Sequence, residues 1–474
     1  MKRPHVKLFT SYGNKYCYDV NKNEIIELSH DEYLLIRRVI NKKENGDNIS
    51  SIDEKLKAWI SKGYFSAQYP QKIEHPLTPY MKDYLTKRVQ GITLQVTQNC
   101  NFRCRYCSFS GDGYFDRTHN GAMMSIDVAK SAINFLKKNS IDMAWIRVVF
   151  YGGEPLLNFP LIREVVKYAV MIMPEKTICY SMTTNASLIT EEMIDFFAEH
   201  KFDLTISLDG PQNYHDRYRR FTADGTGTYS SVMSSLKKIY SMDAEYFKKH
   251  VSLSCVVDGD DDIGEIQKFF NSDFFEDTLV QFSTLDSSKN NYKRNPTEDF
   301  FNSYNENVFA ALINNYLQNE LVLEIPKTKK VLFSNSSDYD EFLDSLSRKT
   351  SIIKYHHSGP CIPGQAKMLV STDGKIFTCE KASGKSTTMC IGDIYKGYDW
   401  NNIDALLNIG KITEEECKNC WAIRFCSVCA INIDNFDSLS KNIKLQECEI
   451  TKRRIESIMK NHVVIKRIKE LIEK

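Results

Sequence analysis

The sequence predicts an α/β protein built on a parallel sheet, and three observations carry that reading. Between residues 90 and 285, six strand-like runs alternate with helical stretches, the pattern of strands joined by crossover helices. Hydrophobic residues make up 42% and aromatic residues 12% of the 474, enough apolar mass for a large core. No run of 18 or more apolar residues occurs, so no membrane-spanning helix is expected. Charge is nearly balanced, 62 Lys and Arg against 61 Asp and Glu, which leaves no electrostatic footprint for nucleic acid. The opening "MKRPHVKLFTSYGN" lacks the apolar stretch of a signal peptide, so a cytoplasmic location with no membrane partner is expected.

Residues 1–75 read as a separate small unit. "HVKLFTS" and "KYCYDV" form two strands joined at "YGNK", whose Gly-Asn suits a tight turn, and "EIIEL" forms a third. Ser29 and Glu32 stand in capping-box spacing before a helical apolar period, and Ser51 and Glu54 repeat the device. Three strands followed by helices predict a winged-helix-like module. The proline-bearing "SAQYPQKIEHPLTP" introduces a linker, placed over 76–89.

The runs that predict the parallel sheet are "ITLQVT" (92–97), "IRVVFY" (146–151), "ICYSMT" (178–183), "LTISL" (204–208), "VSLSCVV" (251–257) and "LVQF" (279–282). In such sheets the loops after the strand C-termini build the site. Cys100 lies three residues past the first run and Glu154 three past the second. A polar bridging region (286–355), a cysteine-rich region (356–450) and a terminal helix (451–474) complete the chain.

Fourteen cysteines need an account other than disulfides, which a reducing compartment disfavours. Cys17, Cys179 and Cys255 sit singly in strand-like runs and read as small buried hydrophobes. Cys100, Cys104 and Cys107 form Cys-x3-Cys-x2-Cys in "CNFRCRYC". Structural zinc takes four protein ligands. Three thiolates on one loop can instead hold three irons of a [4Fe–4S] cube and leave the fourth open. Downstream, Cys361-x12-Gly374-x4-Cys379 precedes Cys417-x2-Cys420-x5-Cys426-x2-Cys429, and Cys448 follows. Zinc knuckles and iron–sulfur clusters both use such spacings.

"CNFRCRYC" after the first strand, with "YGGEP" (151–155) after the second, resembles the radical S-adenosylmethionine (SAM) superfamily. The resemblance implies a partial (β/α)6 TIM-like barrel over 90–285. It implies that SAM chelates the open iron, and that one electron cleaves its sulfonium to give a 5′-deoxyadenosyl radical, which takes hydrogen from substrate. It places Tyr106 near the adenine, and Gly152 and Gly153 where the backbone approaches the methionyl group. Glu154 would accept from the ammonium. Ser207 and Arg219, in "SLDGP" and "HDRYRR", would hold the ribose or the methionyl carboxylate, with Thr184 and Asn185 as third-strand contacts.

The second cysteine region resembles the SPASM domain of peptide-modifying radical enzymes. That implies two auxiliary [4Fe–4S] clusters, three in all: Cys361, Cys379 and Cys429 for the first, and Cys417, Cys420, Cys426 and Cys448 for the second. Two features depart from the pattern. Cys426 and Cys429 are separated by two residues, not three, and no cysteine lies just upstream of Cys361. His356, His357 or Cys390 could substitute, or one iron stays open and takes a substrate thiolate, lowering its pKa. The N-terminal module resembles elements that bind a leader peptide as an added strand. Together the resemblances imply thioether crosslinking of a ribosomally made precursor peptide, as in sactipeptide and ranthipeptide synthases, with flavodoxin or ferredoxin as electron donor. Carbon–carbon crosslinking and sulfatase-maturase-type formylglycine formation are the alternatives within the superfamily. A zinc-rich peptide-binding protein is the alternative outside it. No residue is assigned as a catalytic base.

Overall fold

The computed structural model describes residues 3–41, 54–107, 119–285, 296–317, 336–348, 350, 353–357 and 361–473. The first three strands, β1 (Val6–Ser11), β2 (Asn14–Asp19) and β3 (Glu24–Leu28), form an antiparallel meander followed by helices His30–Asn41 and Glu54–Ser61. The first turn differs from the expectation by one residue. Tyr12 and Gly13 occupy it, with φ of 45° and 81°, while Asn14 begins β2 opposite Ser11. Positive φ at both turn residues is what a two-residue hairpin requires. The first capping box forms: the Ser29 N–H donates to Glu32 Oε2 at 2.7 Å, and the Glu32 N–H to Ser29 Oγ at 3.3 Å. Ser51 lies outside the described residues.

The 76–89 stretch is not a linker. After the short strand β4 (Lys72–Ile73), a single turn (Thr78–Tyr80) leads into helix Met81–Lys87, and Met81 and Leu85 are buried in the central core. Pro79 misled the reading, because proline is tolerated in the first turn of a helix and does not mark irregular chain there.

All six expected barrel strands form: β5 (Gly91–Thr97), β6 (Trp145–Gly152), β7 (Thr177–Thr184), β8 (Asp203–Ser207), β9 (Val251–Val257) and β10 (Leu279–Thr284). Each pairs in parallel with the next. The crossover helices bury one stripe against this sheet. Helix Ile126–Asn139, capped by Ser125 Oγ, turns Ala129, Ala132, Ile133 and Leu136 inward at helical spacing.

The C-terminal half adds β11 (Lys354–Tyr355), parallel to β4, then β12 (Met368–Val370), β13 (Lys375–Phe377), β14 (Cys390–Asp393) and β15 (Gly397–Tyr398). The main sheet runs β10-β9-β8-β7-β6-β5-β12-β13-β14-β15. Its two ends do not pair, so the barrel is partial. The cysteine-rich region therefore continues the barrel's own sheet. Met368, Leu369 and Val370, all buried, lie parallel to Ile92, Thr93 and Leu94.

The N-terminal meander docks on the cysteine-rich region. Arg424, 2% exposed, donates through Nε to the Val20 carbonyl and through Nη2 to the Thr350 carbonyl, both at 2.8 Å. His5 Nε2 lies 3.2 Å from the Cys420 carbonyl. Lys7 pairs with Glu456 at 2.7 Å and lies over the Trp421 ring. The long helix Lys441–Ile472 buries Ile455, Met459 and Val463 in the same apolar cluster as Phe9, Tyr16 and Tyr18. No described helix is long and apolar enough to cross a membrane.

Candidate active site at the strand ends

The carboxyl ends of β5 to β8 open onto a cavity of about 190 Å3, and all eleven barrel residues singled out from the sequence line it. The cysteine loop is shaped by its backbone. The Phe102 N–H donates to Cys100 Sγ at 3.3 Å, and the Cys107 N–H to the Cys104 carbonyl at 3.0 Å. Buried Phe102 packs edge-on against Phe221, which pins the loop. Burial pushes the Cys100 and Cys104 thiols up to about 12. Such thiols ionise only when a cation compensates them, as iron does. Among the described residues no three His, Cys, Asp or Glu converge on the point a single ion would occupy. The three thiols instead face a cavity, and that donor set fits a cluster-bearing site.

Gly152 and Gly153 line the cavity, but a different neighbour forbids a side chain there. A Cβ at Gly152 would stand 2.0 Å from the Thr97 carbonyl oxygen, and one at Gly153 2.1 Å from that of Asn99. The Gly153 and Glu154 N–H groups donate to those same two oxygens, at 3.0 and 2.8 Å. The glycines thus weld the end of β6 to the stem of the cysteine loop.

Glu154 is 1% exposed. Oε1 accepts from the Thr184 hydroxyl at 2.7 Å and the Leu156 N–H at 3.1 Å, and Oε2 from the Asn185 N–H at 2.8 Å. Burial raises its pKa, and these donors oppose the rise. Thr184 and Asn185 therefore act first as supports for Glu154. The Asn185 amide also reaches Cys100 Sγ at 3.9 Å and Asn101 Oδ1 at 2.9 Å. Ser207, half-buried at the end of β8, lines the cavity beside them.

Arg219 is buried but already engaged. Its Nε and Nη2 donate to the two oxygens of Asp209 at 2.7 and 3.3 Å, and Nη1 lies 4.0 Å from Cys104 Sγ. Asp209 also accepts from the Tyr106 hydroxyl at 2.5 Å and the Val256 N–H at 3.0 Å. Burial pushes this carboxyl up, and Arg219 beside it more than offsets that, holding it below the usual range. Sequence reasoning did not single out Asp209, whose partners Tyr106 and Val256 are distant in the chain. It also missed His119, which lines the cavity from outside any strand or helix.

Four of the seven C-terminal cysteines singled out from the sequence lie near one another. Cys417 and Cys426 are buried, Cys420 and Cys448 half-buried, and Cys426 feels the charge of the other three. Burial pushes Cys420 up to about 11 and Cys426 to about 12. Thr413 Oγ1 sits 3.3 Å from Cys417 Sγ. Of the other three, Cys361 is exposed, while Cys379 and Cys429 pack half-buried against the central core. His356 is not free to ligate: its Nε2 accepts from the Gly410 N–H at 2.9 Å and its Nδ1 bonds the His357 carbonyl at 3.0 Å. His357, 2% exposed, lies against the Cys426 backbone and so on the side of the four-cysteine set. Cys390 Sγ bonds the Gly392 carbonyl at 3.5 Å in a separate open groove with Lys375, Lys385 and Lys396.

Comparison with known proteins agrees with this geometry. Residues 94–270 match the model of the radical SAM superfamily. The chain is 24% identical over 356 residues to a cysteine-type anaerobic sulfatase-maturating enzyme of Clostridium novyi (strain NT), covering 70% of this chain and 85% of that one. It is 25% identical over 219 residues to the radical SAM cyclopropyl synthase TigE of Paramaledivibacter caminithermalis, covering 43% of this chain and 44% of that one. Its fold is similar to that of native anSMEcpe with bound AdoMet and Cp18Cys peptide, with a TM-score of 0.56 at 20% identity over 80% of this chain and 99% of that one. The three-cysteine loop and the Gly-Gly-Glu turn, presented by the open parallel sheet, both fall within residues 94–270, the part of the chain that matches the radical SAM superfamily.

Proposed function

We propose that this protein installs cysteine-to-carbon thioether crosslinks in a ribosomally made precursor peptide. When bound, the cluster and SAM supply a 5′-deoxyadenosyl radical that takes hydrogen from substrate. The chain's own residues do the rest. Cys100, Cys104 and Cys107 present thiols to the cavity, and Glu154 offers a held carboxylate to an ammonium group. Asp209 keeps Arg219 against Cys104.

The observation that carries the peptide reading is the N-terminal meander. β3 is an edge strand of a sheet anchored to the cysteine-rich region by Arg424 and Lys7. Such an edge accepts an extended peptide as an added strand. Cys361, Cys379 and Cys429 would hold the first auxiliary cluster with one iron open to a substrate thiolate, since His356 is otherwise engaged. The second cluster would sit among Cys417, Cys420, Cys426 and Cys448. Flavodoxin or ferredoxin would supply electrons.

A second reading, oxidation of a cysteine to formylglycine, is favoured by the match to most of the Clostridium novyi enzyme. One experiment separates the two. Anaerobically reconstituted protein is given SAM, a strong reductant and a cysteine-rich peptide encoded beside its gene, and the peptide is weighed before and after thiol alkylation. A thioether loses two hydrogens and one alkylatable thiol per event. Formylglycine loses the sulfur itself. Loss of two hydrogens with every thiol still alkylatable would replace both readings with carbon–carbon crosslinking.

A further inference from the structure

Lys444 is the one buried lysine among the described residues, at 0% exposure. It lies one turn before Cys448 on helix Lys441–Ile472, so both side chains share a face. Lys452, a turn beyond Cys448, shares that face but pairs with Glu449 near the surface at 2.8 Å. The Lys444 Nζ donates to the Ile409 carbonyl at 2.5 Å. Ile409 opens the turn that feeds the short helix bearing Cys417, and Thr413 in that turn touches Cys417 Sγ. The ammonium is thus held beside the four-cysteine set, where Cys417, Cys426 and Cys448, and after them the Glu416 carboxylate, act on it electrostatically.

The hydrogen-bond acceptor of this ammonium is a neutral carbonyl, not a carboxylate. Beside it, the buried His357 ring lies against the Cys426 backbone and feels the Lys444 charge. A buried cation is expensive for a fold unless an anion stands near it. A four-thiolate iron–sulfur cluster is such an anion, and reduction makes it one charge more negative. A fixed cation in a poorly solvated wall favours that reduced form, because cluster potentials follow local charge, hydrogen bonding and exposure.

We propose that Lys444 is the built-in counter-cation of the Cys417, Cys420, Cys426 and Cys448 site and raises the reduction potential of the cluster held there. This rests on reading those four cysteines as an auxiliary cluster site. The role suits an electron acceptor. When a C–H and an S–H become a C–S bond, one hydrogen atom leaves with the 5′-deoxyadenosyl radical and one proton leaves to solvent. The single electron left over reduces the cluster.

The test is a potentiometric titration, followed by electron paramagnetic resonance, of the anaerobically reconstituted full chain. Cys448→Ser identifies the signal of this site. Lys444→Gln keeps a donor for the Ile409 carbonyl and removes only the charge. It is expected to lower the reduced-to-oxidised ratio of that signal at least tenfold at fixed potential, about 59 mV for one electron. The other signals should stay in place, and Lys452→Gln should shift it less than threefold. If Lys444→Gln loads iron poorly, normal loading of Lys444→Arg upholds the charge role, and failure of both overturns it. An unmoved potential at full iron content overturns it, as does a Cys448→Ser spectrum that lacks none of the parent's signals. A peptide without thioether would overturn the function proposed above and leave this inference standing.

Discussion

Tyr106 and Arg219 meet on one carboxylate: the tyrosine hydroxyl and the guanidinium Nε both donate to Asp209 Oδ2, at 2.5 and 2.7 Å. Tyr106 belongs to the cysteine loop, and Asp209 follows β8, so this contact ties the loop to the end of that strand. Replacing Asp209 by Asn leaves Arg219 buried without its countercharge, a loss of about 3 kcal/mol or more. Chemical denaturation of the variant and its parent measures this. A change under about 1 kcal/mol would show that Arg219 finds other compensation.

Gly153→Ala should break the joint between β6 and the cysteine loop. The new methyl would stand 2.1 Å from the Asn99 carbonyl oxygen and 3.1 Å from Cys100 Cβ. Overpacking against backbone costs about 2 kcal/mol, and the displaced loop should bind less iron. Gly121→Ala, with nothing within 4 Å, is the matched control and should be neutral within about 0.5 kcal/mol. Iron content and melting temperature, measured together, check both.

Arg424→Ala should loosen the N-terminal meander without touching the barrel. It removes the bonds to the Val20 and Thr350 carbonyls, at a cost of about 2 kcal/mol. Amide hydrogen exchange should quicken in residues 6–28 and stay unchanged in β5 to β8. Uniform quickening would mean that the meander is needed for the whole fold.

Acid should destabilise the protein through buried histidines. Burial, with Arg219 nearby, lowers His215 to about 4, and burial with Lys466 lowers His462 to about 4. Their folded values lie below the unfolded value of about 6.5, so the unfolded chain binds these protons first. The stability they support is whole above pH 6.5 and declines as pH falls toward 4, by about 3 kcal/mol for His215. His215→Gln should flatten that decline between pH 6.5 and 4. An equally steep decline in the variant would remove His215 as its source.

Local pattern made most of the barrel legible. The strands were readable because β5 to β10 combine dense apolar runs with helical spacers, and the loop cysteines because thiols at fixed spacing have few uses. What escaped reading depends on partners distant in sequence. Met368 to Val370 form too short a run to be read as a strand, and only pairing with Ile92 to Leu94 makes them one. Helix Met81–Lys87 follows a proline-bearing stretch, and its burial of Leu85 in the core could not be read locally. Arg219 lines the cavity, and its ion pair with Asp209 cannot be read locally because it forms only after the chain has turned back. Spacing singles out Cys417, Cys420, Cys426 and Cys448, whereas nothing local in the sequence marks Lys444 as buried.

The meander is bolted to the cysteine-rich region, and that region is hydrogen-bonded to β5 as the next strand of the barrel sheet. If the proposed peptide binds there, the chain would act as a ruler as well as a vessel. A peptide lying along β3 would be tethered at a fixed post, and the residue arriving at the cavity would be set by how many residues separate it from the tether. Lengthening that spacer by a few residues should move the modification along the peptide by the same number, with no change in the chemistry performed.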